Sequence, residues 1–458
     1  MTPPAPPRWA RWEAAGLAAT LLVGALLRLN QYTLAPLPAD NQDEVDWTWA
    51  GLGILTRGVP YGWSNLHAYG ERISVAANGT TFEVAHPFLD HPPLFSIIVG
   101  LAAWLQGARQ LGDVTISMVR PVPITLGVAA LFLTYLLGRR LVGPPAAMAG
   151  TVLLATAPAA VLVQRQVEAE SLLAPLFLLA LIALHRRLSG DLRSRWVAVL
   201  LTCCLLAPLA KVSGVAIAGG LAAVLIAAGR WRLAVLTAGA GLLGIAGYFA
   251  YGIAYNADLF FKVLAESETH RYGVMGVYQF ITASSGPSGA VRHLRDGWWL
   301  LGWLGVGAAV GRVRNLGQDL LLWPLAAYAV VIMLAAEGVQ DYGWFRVAVY
   351  PLVYILAGWL TWVAISRPSA LGLVAMIALG GATATTALFG DEGRWAPSAF
   401  VLLAGLVVAV APALLTGAYP SSRRLSQVAR AVAGLALILV VAANVATSAQ
   451  LDRLYFHL

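Results

Sequence analysis

Seven residues, Asp40-Asn41-Gln42-Asp43-Glu44-Val45-Asp46, carry four carboxylates just beyond the first apolar run, and Trp47 and Trp49 follow directly. Carboxylates this close repel one another, which raises some of their pKa values or recruits a cation. A general base or a cation-binding element would use that property. A solvated helix start would hold the same residues for its dipole.

Further candidates stand at other run boundaries. In His86-Pro87-Phe88-Leu89-Asp90-His91-Pro92-Pro93-Leu94 the paired prolines either begin a helix in the ordinary way or stiffen the chain so that a His or Asp side chain is aimed into a cavity. Gln164-Arg165-Gln166-Val167-Glu168-Ala169-Glu170-Ser171 puts Arg165 and Glu170 at membrane depth. That is expensive unless they pair with each other or bind something polar. Lys211, between Pro208 and Gly214 inside an apolar stretch, either snorkels outward or meets a phosphate. Two late segments complete the set. Glu266 to Arg271 contains His270, which reads as a metal ligand, an acid-base group or an ordinary loop histidine. Asp341 to Arg346, with Tyr350-Pro351, brings Arg346 to a helix start where it contacts lipid headgroups or a substrate phosphate. There is no P-loop and no H-E-x-x-H motif, so no nucleotide cofactor is expected.

The elements that must position these residues follow from composition. Hydrophobic residues make up 59% of the 458 and charged residues 11%, against roughly 25% charged in ordinary globular proteins. The chain is therefore read as a polytopic membrane protein. The only cysteines, Cys203 and Cys204, are adjacent and exclude a disulfide framework. A net charge of +8 comes with no basic block or aromatic-basic platform, which argues against nucleic acid.

The first apolar run, about 14 to 27, follows Arg8 and Arg11 without a small-residue cleavage site and is read as a retained anchor. Runs long enough to span follow at about 121–138, 145–163, 171–185, 233–254, 298–311, 320–336, 346–365, 369–389, 396–416 and 431–449. The stretch 196–229 would be about 51 Å long as one helix, so it is read as two short crossings turning at Lys211. Segment 92–108 is then an outer interfacial helix, giving thirteen crossings with the N-terminus inside and the C-terminus outside. This threading leaves 16 of the 30 Lys and Arg residues in the cytoplasm, with only Glu13, Asp191 and Asp319 among the 22 acids. Basic cytoplasmic loops are what orientation requires, so the positive charge records topology.

Two outer regions, about 35–120 and 255–296, exceed mere connectors. Alternation across Arg72 to Val84 around Asn78-Gly79 predicts a small β-hairpin, and Ser284 to Gly289 reads as a mobile turn. The polar residues concentrate in 1–365, the expected catalytic module, while 366–458 is expected to be a variable set of membrane helices.

The order of these features resembles the GT-C class of membrane glycosyltransferases, in particular the protein mannosyltransferase and aminoarabinose transferase branch. The resemblance runs from about residue 17 to 360. It is carried by Arg28, Asp43-Glu44, Gly58-Val59-Pro60-Tyr61, His91-Pro92-Pro93-Leu94, Arg120-Pro121-Val122-Pro123 with Leu137 to Gly143, Leu209-Ala210-Lys211, His270-Arg271, and Arg346 with Tyr350-Pro351. Two departures stand out, because the branch usually has aspartate at the position of Glu170 and lysine in the Lys-Pro-Pro form at the position of His91.

The resemblance implies an all-α GT-C-like bundle in the inner or plasma membrane. It also implies transfer of a sugar, with inversion, from a polyprenyl-phosphate donor to a lipid, glycan or protein acceptor at the extracytoplasmic face. On that reading Asp43 is the base and Glu44 positions it or the acceptor. Lys211, Arg346 and Arg165 hold the phosphate, with Tyr350 beside them. Glu170, His91 and His270 form a polar shell that would suit a divalent cation. A lipid-linked sugar transporter and a non-catalytic lipid-binding scaffold are the rival classes. Repeat symmetry would favour the first, and the Asp43-Glu44 pair argues against the second.

Overall fold

A computed structural model describes residues 10–37, 41, 43–77, 79–268, 274–282, 296–311, 315–335, 343–389, 399–419 and 421–453. His270, Asp40, Asn78, Asp341 and the turn at 284–289 lie outside them.

The apolar runs fold as helices, as they must where lipid offers no partner for a backbone N–H or C=O. Helix α1 spans Arg11–Leu29 and α2 Asp43–Arg57. After a small sheet come α3 (Pro93–Leu105), α4 (Ile116–Val119) and α5 (Pro121–Leu141). Then follow α6 (Pro144–Thr156), α7 (Pro158–Val163) and α8 (Glu170–Leu188). The pair α9 (Ser194–Ala210) and α10 (Val215–Ala227) precedes α11 (Trp231–Glu268) and α12 (Val274–Thr282). The rear of the bundle is α13 (Gly297–Val310), α14 (Leu316–Ala335), α15 (Tyr350–Ser366), α16 (Ala370–Phe389), α17 (Ala399–Ala418) and α18 (Arg423–Ser448). Among the described residues six helices are long and apolar enough to cross a membrane, and eight shorter apolar helices accompany them.

The stretch 196–229 divides at Lys211. Lys211 is extended (φ −156°, ψ 140°), a 3₁₀ turn over Val212–Gly214 follows, and α10 then resumes. The Lys211 N–H still bonds to Ala207 O at 3.1 Å. The turn needs glycine at 214, because a Cβ there would sit 2.4 Å from Ala207 O.

The expected hairpin is present as β2 (Arg72–Ala77) and β3 (Thr80–Ala85), paired antiparallel from Arg72 opposite Ala85 to Ala77 opposite Thr80. A short β1 (Gly62–Trp63) adds a third strand on β3, which the alternation pattern did not reveal. Much of 255–282 is helical: α11 breaks at Asn256, whose side-chain oxygen accepts from the Leu259 N–H at 3.0 Å, and then continues to Glu268. That extension clamps the region between α2 and α3. Glu266 accepts from the backbone N–H groups of His67 and Ala68, each at 2.8 Å, and the Tyr248 hydroxyl donates to Leu89 O at 2.7 Å.

Segment 92–108 lies against α2 as helix α3. Pro93 opens it, and Gly51 and Gly100 let the two backbones approach. A Cβ on Gly51 would stand 1.7 Å from Ser96 O, and one on Gly100 would stand 2.3 Å from Leu52 N. Gly51→Ala is expected to lower stability by about 1–3 kcal/mol or more, since overpacking against backbone cannot relax by a rotamer change. A thermal melt of the purified variant checks this, and an unchanged transition would show that α2 and α3 separate freely.

Candidate active site

The N-terminal ends of α2 and α8 and the C-terminal end of α9 meet in one charged cluster. Helix α2 opens with Asp43, Glu44 and Asp46 in its first turn, where carboxylates complement the helix dipole. The Asn41 side-chain oxygen accepts from the Asp43 N–H at 3.1 Å and so starts the helix. The Asn41 amide donates to Glu168 Oε1 at 2.7 Å, which ties that start to the turn between α7 and α8. Trp47, one helical turn beyond Asp43, donates its indole N–H to Glu168 Oε2 at 3.3 Å.

Glu44 is fixed below this surface. Arg120, at the junction of α4 and α5, grips it through Nε–Oε1 at 2.9 Å and Nη2–Oε2 at 2.6 Å, and both side chains are fully buried. The same carboxylate accepts from the Val167 N–H at 3.0 Å, while Arg120 Nη1 donates to Tyr32 O at 2.5 Å. Asp43 precedes Glu44 in the helix and is only half-buried. One acid of the pair is locked and the other faces the cluster.

The break between α9 and α10 delivers Lys211 to these acids. Its Nζ lies 2.7 Å from Glu170 Oε1 and 4.0 Å from Glu168 Oε2. The ammonium also stands 4.8 Å from the Phe345 ring centroid and 5.9 Å from that of Trp47. His91 stacks on Trp47 with centroids 4.3 Å apart and planes 12° from parallel.

The electrostatics follow from burial. Desolvation, and then the Asp43 carboxylate, push Glu168 well above the usual carboxylate range, against Lys211 and the Asn41 hydrogen bond. Desolvation also raises Asp43, opposed by Lys211 and reinforced by Glu44. His91 is pushed down to about 3 by burial and by the neighbouring Lys211 charge, so it is a neutral imidazole at pH 7. A neighbouring polar group extends from Asp46, which accepts from the Trp63 N–H at 2.6 Å, to Asp90, which accepts from Tyr69 and from Ser64 at 2.7 Å.

Of the residues singled out from sequence, Asp43, Glu170, Lys211 and His91 come together here. Arg165 does not face Lys211; it is fully buried and donates to Leu27 O at 2.7 Å and Ala35 O at 3.0 Å, joining the end of α1 to the α7–α8 turn. Arg346 donates to Phe280 O at 2.9 Å and Gln279 O at 3.3 Å and lies over the Trp299 ring, where Tyr350 also packs. The turn that carries Arg346 presents its neighbour Phe345 to the ammonium instead. The sequence pattern does not single out Glu168, Trp47, Asn41 and Arg120 as site residues. A signal existed for two of them: Trp47 is four residues from Asp43 and hence on its helix face, and Glu168 is two residues from Glu170. Arg28, fully buried, binds Gln164 through Nε at 2.9 Å and Nη2 at 2.5 Å and fixes the other end of the same turn.

His270, one of the three residues that would suit a divalent cation, lies outside the described residues. Glu170 is paired with the Lys211 ammonium, His91 stands beside the same charge, and among the described residues no three His, Cys, Asp or Glu side chains are arranged to hold a metal ion.

Membrane helices of this order, with α3 packed on both α2 and α9 and a small sheet between α2 and α3 in the chain, define the GT-C glycosyltransferase fold. Residues 90–253 match the family described as dolichyl-phosphate-mannose-protein mannosyltransferase. The whole chain is similar to ArnT from Cupriavidus metallidurans bound to undecaprenyl phosphate, with a TM-score of 0.57 and 16% identity over 97% of this chain and 78% of that one. The apo state of the same protein gives a TM-score of 0.55 and 17% identity over 96% and 77%. No curated protein sequence matches the chain.

Proposed function

We infer that the protein transfers a sugar from a polyprenyl-phosphate donor to an acceptor hydroxyl or amine at the extracytoplasmic face of the membrane. The observation that carries this reading is the juxtaposition of a half-buried carboxylate, Asp43, with a single ammonium, Lys211, held by two further carboxylates at the outer end of the bundle. The undecaprenyl phosphate in the similar Cupriavidus metallidurans structure supports a polyprenyl-phosphate-type donor.

In the reaction the acceptor heteroatom forms a bond to the anomeric carbon as the bond from that carbon to the phosphate oxygen breaks. The electron pair leaves with the polyprenyl phosphate, and attack from the opposite side inverts the centre. Asp43 takes the acceptor proton, and a pKa raised by burial makes it a better proton acceptor than an exposed aspartate. Lys211 stabilises the charge that grows on the departing phosphate. Its salt bridge to Glu170 holds it in place beforehand, with Glu168 4.0 Å away, so it need not reorganise during transfer. Neutral His91, stacked on Trp47, supplies a flat polar wall for the sugar.

Lys211→Met is expected to reduce transfer by about 10²–10³-fold, the usual effect of removing one preorganised electrostatic stabiliser. Lys211→Arg should recover part of it, since the charge is kept and its shape altered. Initial rates in proteoliposomes check both.

The test of the function itself is sugar release and transfer from a panel of radiolabelled polyprenyl-phosphate sugars in proteoliposomes, with a chelator arm. Sugar transfer by wild type, unaffected by chelator, supports the reading with Lys211 as the neutralising charge. If the lipid merely moves between leaflets, equally in wild type and Asp43→Asn, the protein is a transporter and the enzyme reading fails.

A further inference from the structure

Helices α5 and α8 both begin at the candidate site and run side by side away from it. With 21 and 19 residues they end about 30 Å distant at 1.5 Å per residue. There α5 finishes in Arg139-Arg140 and α8 in His185-Arg186-Arg187. Arg139 is neutralised by Glu13 at 2.6 Å. The other three arginines are not: among the described residues no carboxylate pairs with Arg140, Arg186 or Arg187. They also face one another, since Arg140 is within electrostatic reach of Arg186, and His185 of both.

Cations at helix C-termini are favoured by the dipole and by topology, and solvated side chains satisfy both demands. This cluster goes further. Arg186 lies over the Trp196 ring at 5.7 Å, but Nη1 of Arg140, Nε of Arg186 and Nη1 of Arg187 are shielded from solvent and have no hydrogen-bond partner among the described residues. An anion beside these mutually repelling guanidinium groups would satisfy the occluded N–H groups and offset the repulsion, and guanidinium forks match phosphate oxygens in geometry. The faces below the cluster are apolar and outward. Leu179, one heptad before Arg186, is 38% exposed, and Phe132, eight residues before Arg140, is 40% exposed. Such residues suit acyl chains.

We propose that Arg140, Arg186 and Arg187 bind the phosphate of an anionic phospholipid headgroup in the leaflet opposite Lys211, with Leu179 and Phe132 against its chains. Basic notches between membrane helices bind such headgroups by this chemistry. The site is separate from the donor site and independent of the reaction proposed above.

Native mass spectrometry of the full chain in detergent, with phosphatidylglycerol and phosphatidylcholine at equal concentration, tests it. Wild type should retain phosphatidylglycerol selectively, and Arg140→Gln with Arg186→Gln should lose that preference by about fivefold per arginine. Arg186→Lys, which keeps the charge and the fold but not the fork, should fall between them, and Arg430→Gln, on an exposed basic helix start, should match wild type. Equal retention of the two lipids by wild type, or a preference unchanged in both Arg186 variants, overturns the proposal. Displacement of phosphatidylglycerol by excess inorganic phosphate would overturn the lipid as the source and leave a site for a free anion.

Discussion

Asp43→Asn is expected to lower transfer by about 10²–10⁴-fold, the range for loss of a general base, with KM for the donor nearly unchanged. Asparagine preserves the shape and the α2 start, because the Asn41 side chain bonds to the Asp43 backbone and not to its carboxylate. Only proton acceptance is removed. The stability sign separates this from misfolding. Burial raises Asp43 in the folded protein, so across the window between the ordinary aspartate pKa and the raised one the folded state binds more protons than the unfolded state. Stability then falls as pH rises through that window. At neutral pH the charged Asp43 is therefore a cost, and the variant should melt at the same temperature or slightly higher. For the same reason the wild-type rate should drop on acidification around the raised pKa of Asp43, above the usual aspartate value, and the residual rate of the variant should lack that limb. A variant with normal turnover, or one whose melting temperature collapses along with its rate, would remove Asp43 from the role of base.

Arg120→Gln is expected to act through the fold. Glu44 and Arg120 are both fully buried and joined by two parallel hydrogen bonds. Removing one partner of such a pair costs about 3–5 kcal/mol because an uncompensated charge stays behind. Two backbone groups lose partners or alignment as well, the Val167 N–H and Tyr32 O. The expected result is a variant that expresses poorly or melts far below wild type, with transfer lost in proportion to folded protein. Glu44→Gln combined with Arg120→Gln removes both charges and should recover part of the stability. Thermal unfolding of all three proteins, each normalised for folded fraction before rates are compared, separates this effect from catalysis. A stable Arg120→Gln protein would mean that the α2 entry is held by Asn41 and Trp47 alone.

The two variants show how differently the neighbours Asp43 and Glu44 stand, and sequence alone could not distinguish them. Both are acids in the first turn of one helix. Their separation depends on Arg120, 76 residues away from Glu44, arriving at the face that carries Glu44. Likewise Arg165 and Arg346 qualified as phosphate ligands by type and by position at helix ends. In the fold each also donates to backbone carbonyls, Leu27 and Ala35 in one case and Phe280 and Gln279 in the other. Glu168 was legible only as one acid in a polar run. Its place became clear once Asn41, 127 residues distant, donated to it.

What the sequence determined by itself is whatever one-dimensional pattern controls. Apolar runs must become helices in lipid because their backbone groups find partners nowhere else. A lysine between proline and glycine must interrupt a stretch too long for one crossing. Alternation around Asn78-Gly79 must give a hairpin. The order of polar motifs between them was enough to suggest the GT-C class. The tertiary structure alone decided which charges meet. A desolvated guanidinium or ammonium takes the nearest acceptor in space, and nearness is set by how α2, α5, α8 and α9 cross. Lys211 therefore lies between Glu168 and Glu170 with Asp43 before it, and Arg120 is sealed beneath with Glu44.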